Sequence, residues 1–228
     1  MRDKVSIIIP CFNEEGTISE VIERVKKVDL GLEKEIVVVD DGSTDSSFEK
    51  ASRHGDVKVI RHERNMGKGA AVKTGIAHST GSIIVIQDAD LEYLPEDIPG
   101  LLAPIIRGEA DAVYGSRFTG NIEGMSLSHR FGNRVLSWAT RVLFRAKITD
   151  MMTGYKVFKR EVVDGLKLRA RRFEFEPEVT AKLLKRGVRI VEVPIRYSVR
   201  KIGEAKIKWK DGLICLWWLL KERLRKEA

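Results

Sequence analysis

Five short apolar runs, each separated from the next by a stretch with helical spacing, constrain the fold of this chain most. The runs are Val5 to Pro10, Glu35 to Val39, Val57 to Ile60, Ser82 to Ile86 and Ala112 to Tyr114, and the helical patterns cover 17–28, 45–53, 68–78 and 96–107. Continuous apolar strands are buried on both faces, so this alternation gives a mostly parallel sheet with helices packed on both sides. The expected class is α/β. The chain has 228 residues, 43% of them hydrophobic and 32% charged, enough for one sizeable core, and a single domain over 1–228 is expected. Helix over 173–187 and strand over 188–197 extend the same pattern.

In an open parallel sheet ligands bind beyond the carboxyl ends of the strands. Three expected strand ends carry polar residues: Pro10-Cys11-Phe12-Asn13-Glu14, Asp40-Asp41-Gly42-Ser43 and Asp88-Ala89-Asp90. Each has a mundane alternative, since Asp, Gly and Ser favour turns and an isolated Asp-x-Asp can cap a helix. Placed on one edge, the three converge on one ligand, and a nucleotide fits. Phe12 can pack on a base, Asp41 can accept from base N–H or ribose hydroxyls, and alternate carboxylates can hold a divalent cation carrying phosphate oxygens. Asn65-Met66-Gly67-Lys68-Gly69 opens a helix without Walker A spacing and reads as a turn with packing glycines, with no role for Lys68.

Lys and Arg number 41 against 33 Asp and Glu, a net charge of +8 that favours a polyanionic partner. No nucleic-acid motif accompanies the charge. Two segments, 126–147 and 209–225, set apolar and tryptophan residues among arginines and lysines. Each reads either as a helix lying in a membrane interface or as a core helix with a solvated cationic face. No segment approaches the ~20 apolar residues of a membrane-spanning helix. Cys11 and Cys215 lack metal-ligand spacing, which suits a reducing compartment, and the chain enters its first strand without a secretory leader. A cytoplasmic protein, peripheral on the cytoplasmic face of a membrane, is expected.

The stretches 9–14, 38–43, 88–92, 115–117, 150–155 and 200–206 together resemble the family 2 glycosyltransferases of the GT-A fold. Within these they resemble the polyprenol-phosphate sugar synthases of the dolichol-phosphate mannose synthase type. The resemblance implies a GT-A (Rossmann-like) sheet in which Pro10, Phe12, Glu14, Val39 and Asp41 line a nucleoside pocket. It implies that Asp88, Ala89 and Asp90 meet the diphosphate and that Asp90 and Glu92 hold Mg²⁺ or Mn²⁺. Family members often have Gln at the position of Glu92. Arg117, Arg130, Arg200 and Lys206 match positions used for phosphate groups, although Ala205 replaces the serine usual before that lysine. Asp90 and Arg117 are the implied catalytic pair.

The activity implied is inverting transfer of a hexose from GDP-mannose or a UDP-hexose to a polyprenyl (dolichyl) phosphate at a membrane surface, directly or through a membrane-anchored partner. An acceptor phosphate is already ionised and needs no general base, whereas a hydroxyl does. The alternative is a family 2 enzyme acting on a soluble sugar or polysaccharide, with Asp150, Glu174 and Glu176 as candidate bases. A nucleotide-binding membrane adaptor without turnover is the non-enzymatic alternative.

Overall fold

The computed structural model describes residues 3–120, 122–199 and 209–225. Its chain runs β1 (Lys4–Cys11), α1 (Ile18–Lys27), β2 (Glu33–Asp40), α2 (Ser47–Ser52), β3 (Lys58–Arg61), α3 (Lys68–Ala77), β4 (Ile83–Ile86), α4 (Ile98–Ile106) and β5 (Ala112–Ser116). It continues through β6 (Ile122–Glu123), α5 (Leu127–Phe144), β7 (Lys156–Lys159), α6 (Arg160–Val163), α7 (Phe175–Lys185), β8 (Ile190–Pro194), β9 (Tyr197–Ser198) and α8 (Trp209–Leu224). Seven strands form one sheet in the order β3-β2-β1-β4-β7-β5-β8, all parallel except β7, which is antiparallel to both neighbours. The chain winds outward from β1 through β2 to β3 on one side and places β4 on the other. That reversal opens a crevice beyond the carboxyl ends of β1 and β4.

Side chains alternate between the two faces, and each face has its own core. Val5, Ile7, Ile9, Val85, Val113 and Val157 pack with α1 and α4 residues such as Val21 and Leu101. Ile8, Ile84, Ile86, Tyr114 and Phe158 pack on the other side with residues of α3, α5, α7 and α8. This is the expected GT-A, Rossmann-like architecture of a mostly parallel sheet with helices on both faces.

Two features differ from expectation. The segment 188–197 is not one strand: β8 ends at Pro194, and β9 leaves the sheet to pair with β6. A proline cannot continue a hydrogen-bond ladder as a donor, which accounts for the break. The four residues of β7 gave no strand signal because a lysine stands at each end. Lys156 is nonetheless fully buried, its ammonium donating to Met151 O, Thr153 O and the Glu176 carboxylate.

The segments 126–147 and 209–225 each form a helix that packs one face on the core. α8 lies against α7 and α5, burying Cys215 and Leu219, and α5 buries Leu136 and Ala139 in the same core. Lys185 of α7 ties down the end of α8 by donating from Nζ to Glu222 O and Arg225 O, and on α8 itself Lys221 sits over the rings of Trp217 and Trp218. Among the described residues no helix is long and apolar enough to cross a membrane.

At the amino edge, Glu35 ties β2 to its neighbours by accepting from Ser6 Oγ at 2.6 Å, Thr80 N at 2.5 Å and Gly81 N at 3.1 Å. Burial alone would raise this carboxyl, but hydrogen bonds from Ser6, Thr80 and Lys4 outweigh it and lower it from 4.5 to about 2. A carboxyl depressed on folding adds stability that is complete above its ordinary value and lost as pH falls through the folded one. Stability should therefore drop between pH 4.5 and 2, and Glu35→Gln should flatten that limb of a urea-denaturation pH series. For α8, Leu219→Ala should cost about 2–5 kcal/mol by urea denaturation, while Leu220→Ala, on the exposed face, should stay within about 0.5 kcal/mol. Equal small effects would contradict the docking of this helix.

Candidate functional site

The three polar strand ends meet at the crevice and are stitched to one another. Asn13, with φ at +52°, donates from its backbone to Ser43 Oγ at 2.9 Å, and its side chain accepts from Thr44 N at 2.9 Å. Glu14 N donates to Ser47 Oγ at 2.7 Å, and Asp41 N to Cys11 O at 2.8 Å. Pro10 and Phe12 are half-buried on this rim, while Glu14 and Val39 are buried.

Asp41 is occupied by protein. Its Oδ1 accepts from Met66 N at 2.9 Å and lies 2.7 Å from His62 Nδ1, and its Oδ2 accepts from Gly67 N at 2.7 Å. The His62 ring is held in turn by Thr74 Oγ1 at 2.9 Å. Asp41 thus fixes the loop that opens α3. The neighbouring Asp40 is fully buried with Oδ2 near Arg61 Nε at 3.3 Å, and its Oδ1 has no hydrogen-bond partner. Gly42, at φ +73°, packs against the Arg64–Asn65 backbone so closely that a Cβ would collide with it. A cleft of about 350 Å³ beside it is lined by Gly42, Ser43, Thr44, Arg61, His62 and Glu63.

Beyond β4 the chain makes an acidic turn. Asp88 and Asp90 are half-buried with the buried Ala89 between them, and Asp90 Oδ1 accepts from Glu92 N at 3.1 Å. Leu91 adopts φ +61°, a left-handed conformation that costs a non-glycine residue about 1–2 kcal/mol. The turn brings Asp88, Asp90 and Glu92 onto one short segment. Burial, and then the Glu92 charge, raise the Tyr197 hydroxyl to about 12.

Lys68, given no role from sequence, reaches this turn from the first residue of α3. Its Nζ lies 2.6 Å from Asp88 Oδ1 and 3.7 Å from Glu176 Oε1, with 17% of the side chain exposed. Burial works against its charge, but Asp88 and Glu176 more than compensate and hold it above the ordinary lysine value. Glu176 is also paired with Lys156, whose own ammonium is pulled down by burial. Gly154 leaves the space that Asp88 and Lys68 fill, since a Cβ there would collide with both. The sequence signal for Lys68 was its place at a helix start bracketed by two glycines. What it reached for was not readable.

Arg117 is almost fully buried, and Nε and Nη2 donate to the two Asp150 oxygens at 2.7 Å each. The pair leaves Nη1 outside it. Arg117 also lies over the Tyr197 ring at 5.6 Å. Asp150 is held by its backbone too, with Thr149 N and Asp150 N donating to Glu192. Arg130, on α5, has a buried Nε with no hydrogen-bond partner. Arg200 and Lys206 lie outside the described residues. Of the candidate bases, Asp150 is locked to Arg117 and Glu176 to lysines, while Glu174 accepts from the backbone amides of Arg171 and Arg172.

The family model for glycosyl transferase family 2 matches residues 6–166, from β1 through the Arg117–Asp150 pair. The chain belongs to that family. This glycosyltransferase is 35% identical over 214 residues to a dolichol-phosphate mannosyltransferase of Pyrococcus furiosus, covering 91% of this chain but only 60% of the relative. It is 34% identical over 202 residues to an uncharacterised protein of Methanocaldococcus jannaschii, covering 86% of this chain and 82% of that one. Its fold is similar to glucosyl-3-phosphoglycerate synthase from Mycobacterium tuberculosis. In complex with phosphoglyceric acid that structure gives a TM-score of 0.79 at 23% identity, over 99% of this chain and 82% of the other. In complex with Mn²⁺, UDP and phosphoglyceric acid it gives 0.77 at 22%, over 99% and 80%.

These matches correct the expected acceptor. A polyprenyl or dolichyl phosphate, a membrane surface with a membrane-anchored partner, and the mannosyl specificity with its GDP-mannose donor do not stand. The solved structures aligned along the chain hold UDP and a small soluble acid phosphate, and the share of the Pyrococcus relative covered carries no acceptor over to this chain. The physical reason is that arginines and lysines recognise phosphate oxygens, which a lipid phosphate and a phosphoglycerate present alike. Cationic patterning therefore reports an anion and says nothing of what the anion is attached to.

The Arg117–Asp150 pair yields a stability prediction. Asp150→Asn leaves a buried guanidinium without its carboxylate and should cost about 3–5 kcal/mol in urea denaturation, whereas Arg117→Met with Asp150→Asn should recover part of that loss.

Proposed function

We propose that this glycosyltransferase moves a hexose from a nucleoside diphosphate sugar, with a UDP-hexose as the donor class, to a small soluble acceptor carrying a phosphate. A single domain over 1–228 carries the reaction. The observation that supports this most is the acidic turn Asp88-Ala89-Asp90-Leu91-Glu92 at the crevice between β1 and β4, where the other two polar strand ends also arrive.

The donor set suits a hard divalent cation. Among the described residues no three or more His, Cys, Asp or Glu gather as a ready-made metal cage. Mg²⁺ characteristically takes one or two carboxylates and completes its shell with substrate phosphates and water, so Asp90 and Glu92 on one turn are sufficient. The Mn²⁺ and Mg²⁺ in the solved structures of similar fold agree with this. When bound, the cation offsets the negative charge that grows on the departing nucleoside diphosphate.

The chain's own residues do the rest. Pro10, Phe12, Glu14, Val39 and Asp41 line or brace the nucleoside end of the crevice. Asp88 and Ala89 border the diphosphate. Asp150 fixes the plane of Arg117, whose Nη1 lies outside that pair and in this reading serves phosphate, and Arg130 has a buried Nε that lacks an acceptor. Arg200 and Lys206 serve acceptor or donor phosphates in the same reading. Bringing two anionic substrates together is the main barrier such cations relieve. Two free, buried cysteines suit a reducing, cytoplasmic setting.

The test is product analysis with UDP-glucose, Mn²⁺ and a panel of soluble phosphorylated acids including phosphoglycerate. A glycosylated acid is expected by mass spectrometry. EDTA should abolish its formation, and Asp90→Ala should lower the rate by about a thousandfold, the scale of losing the main electrostatic stabiliser. Turnover that survives EDTA, or a panel in which no soluble acceptor is glycosylated, would sink the proposal.

A further inference from the structure

Four charges form a chain that runs from the half-buried Asp88 on the turn after β4 through Lys68 on α3 to the buried Glu176 on α7 and Lys156 on β7. The ammonium of Lys68 is placed unevenly between its two carboxylates, at 2.6 Å from Asp88 Oδ1 and 3.7 Å from Glu176 Oε1. The first is a hydrogen-bonded ion pair and the second is beyond hydrogen-bond range. Glu176 Oε1 is buried and has no hydrogen-bond partner, while Oε2 of the same carboxylate is taken by Lys156. A buried carboxylate oxygen without a donor is costly, and the nearest ammonium is a short side-chain movement away. Gly154 keeps the space around Asp88 and the lysine clear of a Cβ.

We propose that Lys68 is a two-seat positioning residue: it holds Asp88 while the acidic turn is empty, and passes to Glu176 Oε1 when a divalent cation enters the turn. The inference rests on the reading that this turn takes a cation. A cation entering at Asp90 and Glu92 and the Lys68 ammonium are like charges brought close together on one short turn, so entry drives the lysine off Asp88. The orphan oxygen of Glu176 receives it, and the number of buried unpaired groups falls. The first residue of α3 thereby senses occupancy of the turn after β4 and reports it to α7, which packs in the same core as α3.

Mn²⁺ binding to the full chain, measured by electron paramagnetic resonance with and without UDP, tests this apart from turnover. Lys68→Met removes the competitor and should tighten Mn²⁺ by about tenfold, and Glu176→Gln removes the second seat and should weaken it by about tenfold. Simple charge effects share those signs, so the deciding quantity is the double variant. With two seats, Glu176→Gln should change Mn²⁺ affinity less than about twofold in the Lys68→Met background, whereas independent charges would give additive effects. Should a variant not fold, the wild type still decides. The Glu176 carboxyl ¹³C resonance should shift on saturation with Mg²⁺, and an unmoved resonance overturns the proposal. Wild-type protein that binds no Mn²⁺ with or without UDP overturns the cation reading itself, whereas binding with an additive cycle overturns only the two-seat lysine.

Discussion

Buried charge on this sheet's carboxyl edge survives only in pairs, and the rest of the site depends on that constraint. An unpaired ion in the protein interior costs several kcal/mol, and the loss on breaking one pair is of similar size. Arg117 with Asp150, Lys156 with Glu176 and Lys68 with Asp88 each satisfy the rule. Asp41 satisfies it through backbone amides and a histidine ring. Each pair joins segments distant in the chain, so the same interactions that keep charges tolerable also hold the crevice walls at fixed separation. A site meant to receive a diphosphate can then present cations and carboxylates together without collapsing onto itself.

Much of this was legible beforehand, for physical reasons that differ by element. β1, β2 and β4 are apolar on both faces and could not be mistaken, and the three polar strand ends follow from where those runs stop. β7 escaped notice because its buried lysine depends on Glu176, twenty residues away, and no local pattern announces such a partner. α7 shows a related difficulty. It is buried nearly all round, with Glu178 and Lys182 paired inside the protein, so its charged residues mimic a solvated face.

The misread acceptor has a different origin. α5 and α8 expose Phe131, Trp138, Trp217 and Leu224 while burying Leu136 and Leu219, and an amphipathic sequence cannot say which apolar residues face protein. The basic residues beside them signalled an anionic partner, and an anion is as compatible with a soluble acid phosphate as with a lipid. Asp41 is a different case. Its residue type suggests nucleoside recognition, and in the structure both its oxygens also brace the loop before α3.

The antiparallel insertion of β7 carries a consequence for how the sheet assembles. Lys156 is opposite Ile86 and Tyr114, on the α7 side, whereas Val157 is opposite Val85 and Val113, on the α1 and α4 side. Because strand side chains alternate, a slip of one residue would drive the lysine into the apolar layer of α1 and α4 and set a valine against a glutamate. Misregistered pairing is thus penalised electrostatically as well as by lost apolar contact. The antiparallel strand in the middle of the sheet carries its own alignment mark.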